Sequence, residues 1–267
     1  MTSRQFFVTF AFDIDGTCAL SDGSWVPGLI DACRAAYSRG ANLAFVTGRT
    51  AAWSLHFLKK LEVPFYLGAL NGAELFKFPE GKFLRSLCLT AEYVEELLKR
   101  SHAPAIIYTK SKILYRRLDG DEFFHNHLEK RRATQGENWD AHTKQDVSSV
   151  LALRLFLFEN EAHELANAIR NEHASVAVMR DAFNSDICIV QVTNEHADKG
   201  YAAQFFAGNT PIVAFGDDHN DLFLFQRAER AFAIEGAPKE LVSLSDGIID
   251  QNGIAEQMER ALNDYRN

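Results

Sequence analysis

Short apolar runs alternate with amphipathic stretches in the first part of the chain. Residues 6–12 (FFVTFAF) are apolar at nearly every position, which is typical of a strand covered on both faces of a sheet. Residues 42–50 (NLAFVTGRT) and 65–70 (FYLGAL) repeat this pattern. Between these runs, apolar side chains recur at helical spacing, with Pro27 at a helix start and Thr50 in a capping position. The alternation predicts an α/β fold built on a parallel sheet.

The pattern changes after about residue 78. Residues 176–192 have the pattern of a hairpin, and residues 119–146 are a polar and aromatic stretch that could be helix or loop. The other elements predicted here are helices at residues 90–99 and 161–173 and strands at residues 105–109, 113–117 and 151–158. Neighbouring paired strands with helices bunched between them predict an inserted α+β domain over residues 78–187.

The alternating pattern resumes over residues 188–267, which together with residues 1–77 form the predicted core domain. Asp198 is a candidate helix cap, and Lys199 follows it in the first helical turn. Residues 211–216 (PIVAFG) are another apolar run, and this run leads directly into the acidic sequence DDHND.

Composition and charge narrow the possible partners. Of the 267 residues, 47% are hydrophobic and 24% are charged, which is ordinary for a globular protein. The net charge of −8 does not favour nucleic acid or an anionic membrane, and we expect neither as a partner. The four cysteines form no C-x-x-C pair, and no apolar stretch is long enough to span a bilayer. We therefore expect a cytoplasmic protein.

Polar residues follow three of the apolar runs, where parallel sheets bind their ligands. Asp13 and Asp15 follow the first run, and their side chains project to the same side of an extended backbone. One carboxylate can attack phosphorus to form an aspartyl-phosphate, while its neighbour protonates the leaving oxygen and later activates water. Both reactants are anionic, so positive charge must come from Mg²⁺ and from a lysine, here Lys199. The Thr47 hydroxyl and the Gly48 N–H suit phosphate oxygens.

The acidic sequence near the end of the chain supplies the remaining candidates. Asp217 is the natural additional metal ligand, because carboxylate oxygens are preferred by Mg²⁺. Asn220 and Asp221 can orient the substrate or a metal-bound water.

Four motifs, DIDGT, VTGR, DKG and GDDHND, resemble those of the haloacid dehalogenase superfamily of phosphohydrolases in their order and spacing. The sequence LGALNGAEL, placed just before the insert, is similar to the Cof-type branch, which includes sugar phosphatases and is related to sucrose-phosphate phosphatase. The resemblance covers nearly the whole chain. It implies a Rossmann-like parallel core with an inserted α+β cap of the C2 (type IIB) class, which sets substrate specificity.

The resemblance also implies a role for each matching residue. Asp13 would be the nucleophile and Asp15 the general acid and base. The implied Mg²⁺ ligands are Asp13, the backbone carbonyl of Asp15, and Asp217, with Asp221 supporting the metal. The implied phosphate contacts are Thr47, Gly48, Lys199 and Asn220.

The sequence thus predicts a Mg²⁺-dependent phosphatase acting on a small phosphorylated metabolite, most simply a sugar phosphate. A phosphomutase on the same scaffold is an alternative, because Asp15 suits both reactions. A non-catalytic sugar-phosphate-binding protein is a weaker alternative, since neither Asp13 nor Lys199 is missing. The protein is expected to be a monomer or a homodimer.

Overall fold

The computed structural model describes residues 6–135, 139–141, 149–170, 172–181 and 183–265. The chain forms two compact units: Met1–Arg85 combines with Asp198–Asn267 in the first unit, and Ser86–Ala197 forms the second. Each unit has its own sheet and its own apolar core. The second unit is therefore an insertion in the sequence of the first.

A mainly parallel sheet forms the centre of the first unit. Its strands, numbered in chain order, are β1 (Thr9–Phe12), β2 (Asn42–Val46), β3 (Phe65–Ala69), β4 (Glu74–Phe78), β5 (Lys82–Ser86), β12 (Ile212–Gly216), β13 (Arg230–Ile234) and β14 (Gly247–Ile249). In the described part of the chain their order is β14-β13-β12-β1-β2-β3-β4-β5. Neighbouring strands are parallel along the series β14-β13-β12-β1-β2-β3, whereas β3 and β4 are antiparallel. This arrangement confirms the predicted α/β fold.

Helices cover both faces of this sheet. They are α1 (Leu29–Ser38), α2 (Ala51–Leu58), α6 (Lys199–Ala207), α7 (Leu222–Arg227), α8 (Lys239–Val242) and α9 (Ile254–Asp264). Alternate residues of β1 enter different cores: Phe12 packs with Phe45 and with side chains of α1 and α9, whereas Ala11 packs with Ala44 and side chains of α6. The Phe12 and Phe45 rings stack with centroids 5.2 Å apart. Because both faces are covered, the strand sequences are continuously apolar.

The second unit has a six-stranded sheet of the order β10-β11-β9-β6-β7-β8 among its described residues. Its elements are β6 (Ala105–Thr109), β7 (Ile113–Arg116), β8 (Trp139–Ala141), β9 (Val150–Phe158), β10 (Ala174–Arg180), β11 (Ile187–Asn194), α3 (Ala91–Ser101), α4 (Glu122–Gln135) and α5 (Glu159–Ile169). Most neighbouring strands are antiparallel, and β7 and β8 are parallel.

The limits of the two units differ from the expected insert over residues 78–187. Strand β5 belongs to the sheet of the first unit, and β11 pairs with β9 and β10 as far as Thr193 and Asn194. Strand pairing decides these limits, and the apolar pattern of a single strand does not reveal its partner.

Helix α4 lies in the stretch 119–146, where the sequence left helix and loop open. Its buried side includes the apolar Phe124 and Leu128 but also the polar His127 and Arg131. His127 Nε2 lies 3.1 Å from a carboxylate oxygen of buried Asp181, and Arg131 donates to the same oxygen at 2.5 Å. Because polar residues occupy part of the buried side, apolar residues do not recur regularly at helical spacing in this part of the sequence. No helix in the described ranges is long and apolar enough to cross a membrane.

Candidate active site

Three neighbouring strands of the first unit end at one edge of the sheet, and a predicted site residue follows each of them. Asp13 follows β1, Thr47 follows β2 and Asp217 follows β12. In the parallel register, Phe12 lies opposite both Phe45 and Phe215. The sheet therefore brings Asp13 and Asp217, which are about two hundred positions apart in the sequence, to the same carboxyl edge. Ligands bind at this edge in such folds.

Lys199 is the centre of the polar cluster at this edge. Its ammonium nitrogen lies 2.8 Å from an Asp13 carboxylate oxygen and 2.7 Å from one of Asp221, and it donates to the Asn220 side-chain oxygen at 3.0 Å. Lys199 is the first residue of α6, which begins there because the Asp198 carboxylate accepts a first-turn backbone N–H at 2.6 Å. With 1% of its surface exposed, Lys199 cannot exchange its carboxylate partners for water.

Negative charge exceeds positive charge in this cluster. Burial raises the pKa of Asp13 well above its ordinary value, and Lys199 offsets this effect only in part. Burial, followed by the neighbouring Asp221 carboxylate, raises the pKa of Asp217 to about 7. Burial alone would lower the pKa of Lys199, but Asp13 and Asp221 together raise it above its usual range. One ammonium therefore faces three carboxylates, and two of these resist ionisation.

This donor set fits a divalent cation. One carboxylate oxygen from each of Asp13, Asp217 and Asp221 lies within 4.8 Å of the others. Mg²⁺ prefers oxygen ligands, and a bound cation would supply the positive charge that the raised pKa values show to be lacking.

A tight turn after β1 holds Asp217 in place. The Thr17 hydroxyl donates to the Asp217 carboxylate at 2.8 Å. Gly16 has φ +77°, and a Cβ at this position would lie only 2.0 Å from the same carboxylate. A glycine is therefore required at position 16 both by the backbone conformation and by the close approach of Asp217.

Arg49 holds Asp15. Its guanidinium donates to both carboxylate oxygens of Asp15, with the Nε distance at 2.7 Å. The guanidinium also lies over the Trp53 ring, 4.5 Å from its centroid. The Arg49 backbone N–H donates to the Thr47 hydroxyl at 3.2 Å, so the turn at Thr47 and Gly48 is linked to Asp15 through Arg49.

Both oxygens of Asp221 are engaged within the protein. One oxygen contacts Lys199, and the other accepts the backbone N–H groups of Asp217 at 3.0 Å and Asp218 at 3.1 Å. Asp221 is completely buried and thereby fixes the turn that carries Asp217.

The structure thus brings Asp13, Lys199, Asp217, Asn220 and Asp221 into one cluster, with Asp15, Thr47 and Gly48 on the adjoining turns. The functional roles given to these eight residues remain predictions.

Among the residues that shape the site, sequence reasoning missed Thr17 and Arg49. Both lie inside motifs that the sequence analysis used, directly after the glycines of DIDGT and VTGR. Their partners are carboxylates on other segments, so their importance becomes visible only in three dimensions.

The chain matches the model of the haloacid dehalogenase-like hydrolase family over residues 10–258. A Mycoplasma genitalium protein, provisionally named as a phosphatase, is 23% identical over 218 residues, covering 73% of this chain and 74% of that protein. The family match and this relative support an enzyme, and specifically a phosphatase, as the sequence predicted.

Solved structures share the fold. A haloacid dehalogenase-like hydrolase from B. subtilis has a TM-score of 0.77 and 19% identity, covering 94% of this chain and 98% of that one. The phosphatase BT1666 from Bacteroides thetaiotaomicron has a TM-score of 0.76 and 19% identity, covering 99% and 97%. The subclass IIB sugar phosphatase BT4131 has a TM-score of 0.72 and 19% identity, covering 95% and 98%. At such identities the likeness concerns the fold alone.

Replacing Gly16 by Ala is expected to damage the site far more than replacing Gly23 by Ala. Both glycines have φ close to +80°, but a Cβ at position 23 would meet nothing within 4 Å. We expect Gly23→Ala to cost about 1 kcal/mol of unfolding free energy and Gly16→Ala at least about 2 kcal/mol more. Urea unfolding of the two variants measures this difference. Equal losses would show that Asp217 does not closely pack against the turn.

The Asp217 carboxyl group is expected to make the metal-free protein less stable as the pH rises. Because its folded-state pKa is about 7, the native protein binds more protons than the unfolded chain between roughly pH 4 and pH 7. Stability should fall across this window, by at most about 1.4 kcal/mol per pH unit for one proton. Asp217→Asn should flatten the slope measured by urea unfolding in chelator, whereas exposed Asp31→Asn should leave it unchanged. An unaltered slope in Asp217→Asn would contradict the raised pKa.

Proposed function

Because the chain belongs to the haloacid dehalogenase-like hydrolase family, we propose that it is a Mg²⁺-dependent phosphomonoester phosphatase that works through an aspartyl-phosphate at Asp13. The observation that carries this proposal is the buried contact between the Lys199 ammonium and the Asp13 carboxylate at 2.8 Å. A carboxylate nucleophile and a phosphate ester repel each other, and a fixed cation beside the nucleophile reduces that repulsion.

The two acidic residues of the first motif divide the chemistry. A carboxylate oxygen of Asp13 forms a bond to phosphorus while the bond from phosphorus to the ester oxygen breaks. Asp15 donates a proton to the departing oxygen, which leaves as an alcohol. Asp15 then takes a proton from water as the water oxygen attacks the same phosphorus, which releases inorganic phosphate and restores Asp13.

Several features of the first unit support this division of roles. Asp15 is exposed at the sheet edge, where a leaving group can reach it. Both of its oxygens accept from Arg49, so one of these contacts must open before Asp15 can carry the proton for the leaving oxygen. Asp13 is almost completely buried, which strips water from the nucleophile. Lys199, Asn220, Thr47 and Gly48 are the proposed contacts for the phosphate oxygens.

The residues that would hold Mg²⁺ are Asp13, Asp217 and the backbone carbonyl of Asp15. Asp221 supports them by fixing the turn of Asp217 and by pairing with Lys199. A bound Mg²⁺ would neutralise charge on the transferring phosphoryl group. The Thr17 hydroxyl donates to only one of the two Asp217 oxygens.

The proposed substrate is a sugar phosphate or a related small metabolite, and the second unit is proposed to set this preference. The named activity of BT4131 as a sugar phosphatase supports this class, as does the net charge of −8, which disfavours nucleic acid and membranes. A monomer or homodimer in the cytoplasm is the proposed form.

Turnover should be lost when Asp13 is replaced by Asn. The isosteric amide cannot attack phosphorus, so phosphate release should fall by at least about a thousandfold while the fold is retained. The measurement is Mg²⁺-dependent phosphate release from a panel of sugar phosphates, phosphoglycerate-linked sugars, nucleotides and pyridoxal phosphate. Asp31→Asn, an exposed acid on α1, is the matched control and should retain full activity.

Three results would each contradict a part of the proposal. Undiminished hydrolysis by Asp13→Asn would exclude the aspartyl-phosphate route. Conversion of a sugar phosphate into its isomer without release of phosphate would identify a mutase instead. Efficient hydrolysis of nucleotides alone would overturn the sugar preference but leave the mechanism intact.

A further inference from the structure

Gln251 lies more than two hundred positions after Asp13 and Asp15 in the sequence, yet it contacts the turn that follows strand β1. Its side-chain Nε2 group donates to the backbone carbonyls of Gly16 at 2.9 Å, Thr17 at 3.1 Å and Ala19 at 3.1 Å. We infer that Gln251 is a positioning residue for the metal site, which it controls through this turn. The inference rests on the proposed function, because it concerns the Mg²⁺ that the phosphatase would use.

Three carbonyl oxygens that converge on one point repel each other unless a donor lies between them. The Gln251 amide nitrogen occupies that point and offers two N–H groups, so the three acceptors share them. An apolar side chain at position 251 would remove this donor from the carbonyls of the buried residues Thr17 and Ala19, and a carbonyl that loses its donor away from water costs free energy. The amide thereby fixes the direction of three peptide groups in the turn, those that carry the carbonyls of Gly16, Thr17 and Ala19.

The same turn also contacts Asp217, through the Thr17 side chain and the Cα position of Gly16. The Thr17 hydroxyl donates to Asp217, and Gly16 approaches its carboxylate so closely that no Cβ fits between them. A rotation of the peptide groups at Gly16 and Thr17 would therefore move the hydroxyl and release the carboxylate. Gln251 does not touch the proposed metal ligands; it acts on Asp217 through the turn.

Gln251 lies in a short capped turn between the last strand and the last helix of the first unit. It begins a 3₁₀ turn, Gln251–Gly253, in which the Asp250 carboxylate accepts the Gly253 N–H at 2.9 Å. Strand β14 ends at Ile249, and α9 begins at Ile254. The last strand and last helix of the first unit are thus tied to the turn beside the nucleophile by one side chain.

Mg²⁺ binding to the full-length protein tests this inference without relying on activity. Gln251→Met keeps the shape of the side chain but loses the donor, and we expect the Mg²⁺ affinity measured by calorimetry to fall by about ten- to a hundredfold. Gln251→Lys restores a nitrogen with three donors and should remain within about threefold of the wild type. Gln204→Met is the matched control: Gln204 donates to the Gly208 carbonyl at 2.9 Å at the end of α6, and its loss should leave Mg²⁺ affinity unchanged.

The outcomes separate this inference from the function on which it rests. A wild-type protein that binds no Mg²⁺ would overturn the metal-dependent mechanism and this inference together. A wild type that binds Mg²⁺, with Gln251→Met binding it equally well, would overturn the role of Gln251 alone. So would a Gln251→Lys protein that loses as much affinity as Gln251→Met, because the donated hydrogen bonds would then be irrelevant. Thermal unfolding in chelator confirms that each variant is folded before titration.

Discussion

The buried ammonium group of Lys199 is the constraint on which the site depends. A lysine with 1% of its surface exposed would be strongly unfavourable without partners, and the carboxylates of Asp13 and Asp221 supply them. The same contacts place two buried carboxylates at the sheet edge, and the ammonium offsets in part the rise that burial causes in the pKa of Asp13. The Lys199 ammonium and the Asp13 carboxylate therefore favour each other's charged forms, and the cluster still holds more carboxylates than ammonium groups. That excess suits a bound cation. In the proposed chemistry the Lys199 ammonium and this cation would together reduce the repulsion between the Asp13 carboxylate and the phosphate ester.

The fold supplies the positions that this electrostatic balance needs. Placing β1 between β2 and β12 brings Asp13, Thr47 and Asp217 to one edge, and the start of α6 delivers Lys199 to the same place. Short turns then refine the arrangement. The backbone groups around Asp217 bind Asp221, and the turn after β1 contacts both Asp217 and Gln251. Rigid strands determine which residues meet, and the turns determine how closely their atoms approach.

Much of this could be predicted from the sequence because the relevant signals are local. Continuous apolar runs that end in polar residues indicate the strands and the carboxyl ends at which the candidate site residues lie. Four motifs in a fixed order indicate the family. Other features depend on distant partners. Helix α4 is not visible in the pattern, because His127 and Arg131 face the interior to meet Asp181. The unit boundaries follow from strand pairing at β5 and β11. Arg49 and Gln251 are inconspicuous polar residues until the fold places Asp15 beside one and three carbonyls beside the other.

The most direct test of the account is a double-mutant cycle between Lys199 and Asp13, measured as the unfolding free energy of the metal-free protein. The variants are Lys199→Met, Asp13→Asn and the pair combined. If the ammonium and the carboxylate stabilise each other, Lys199→Met should cost about 3–5 kcal/mol in the wild-type background and at least about 1 kcal/mol less when Asp13 is already Asn. Strictly additive losses would contradict the account, because the two groups would then contribute independently and the buried pair would not organise the site.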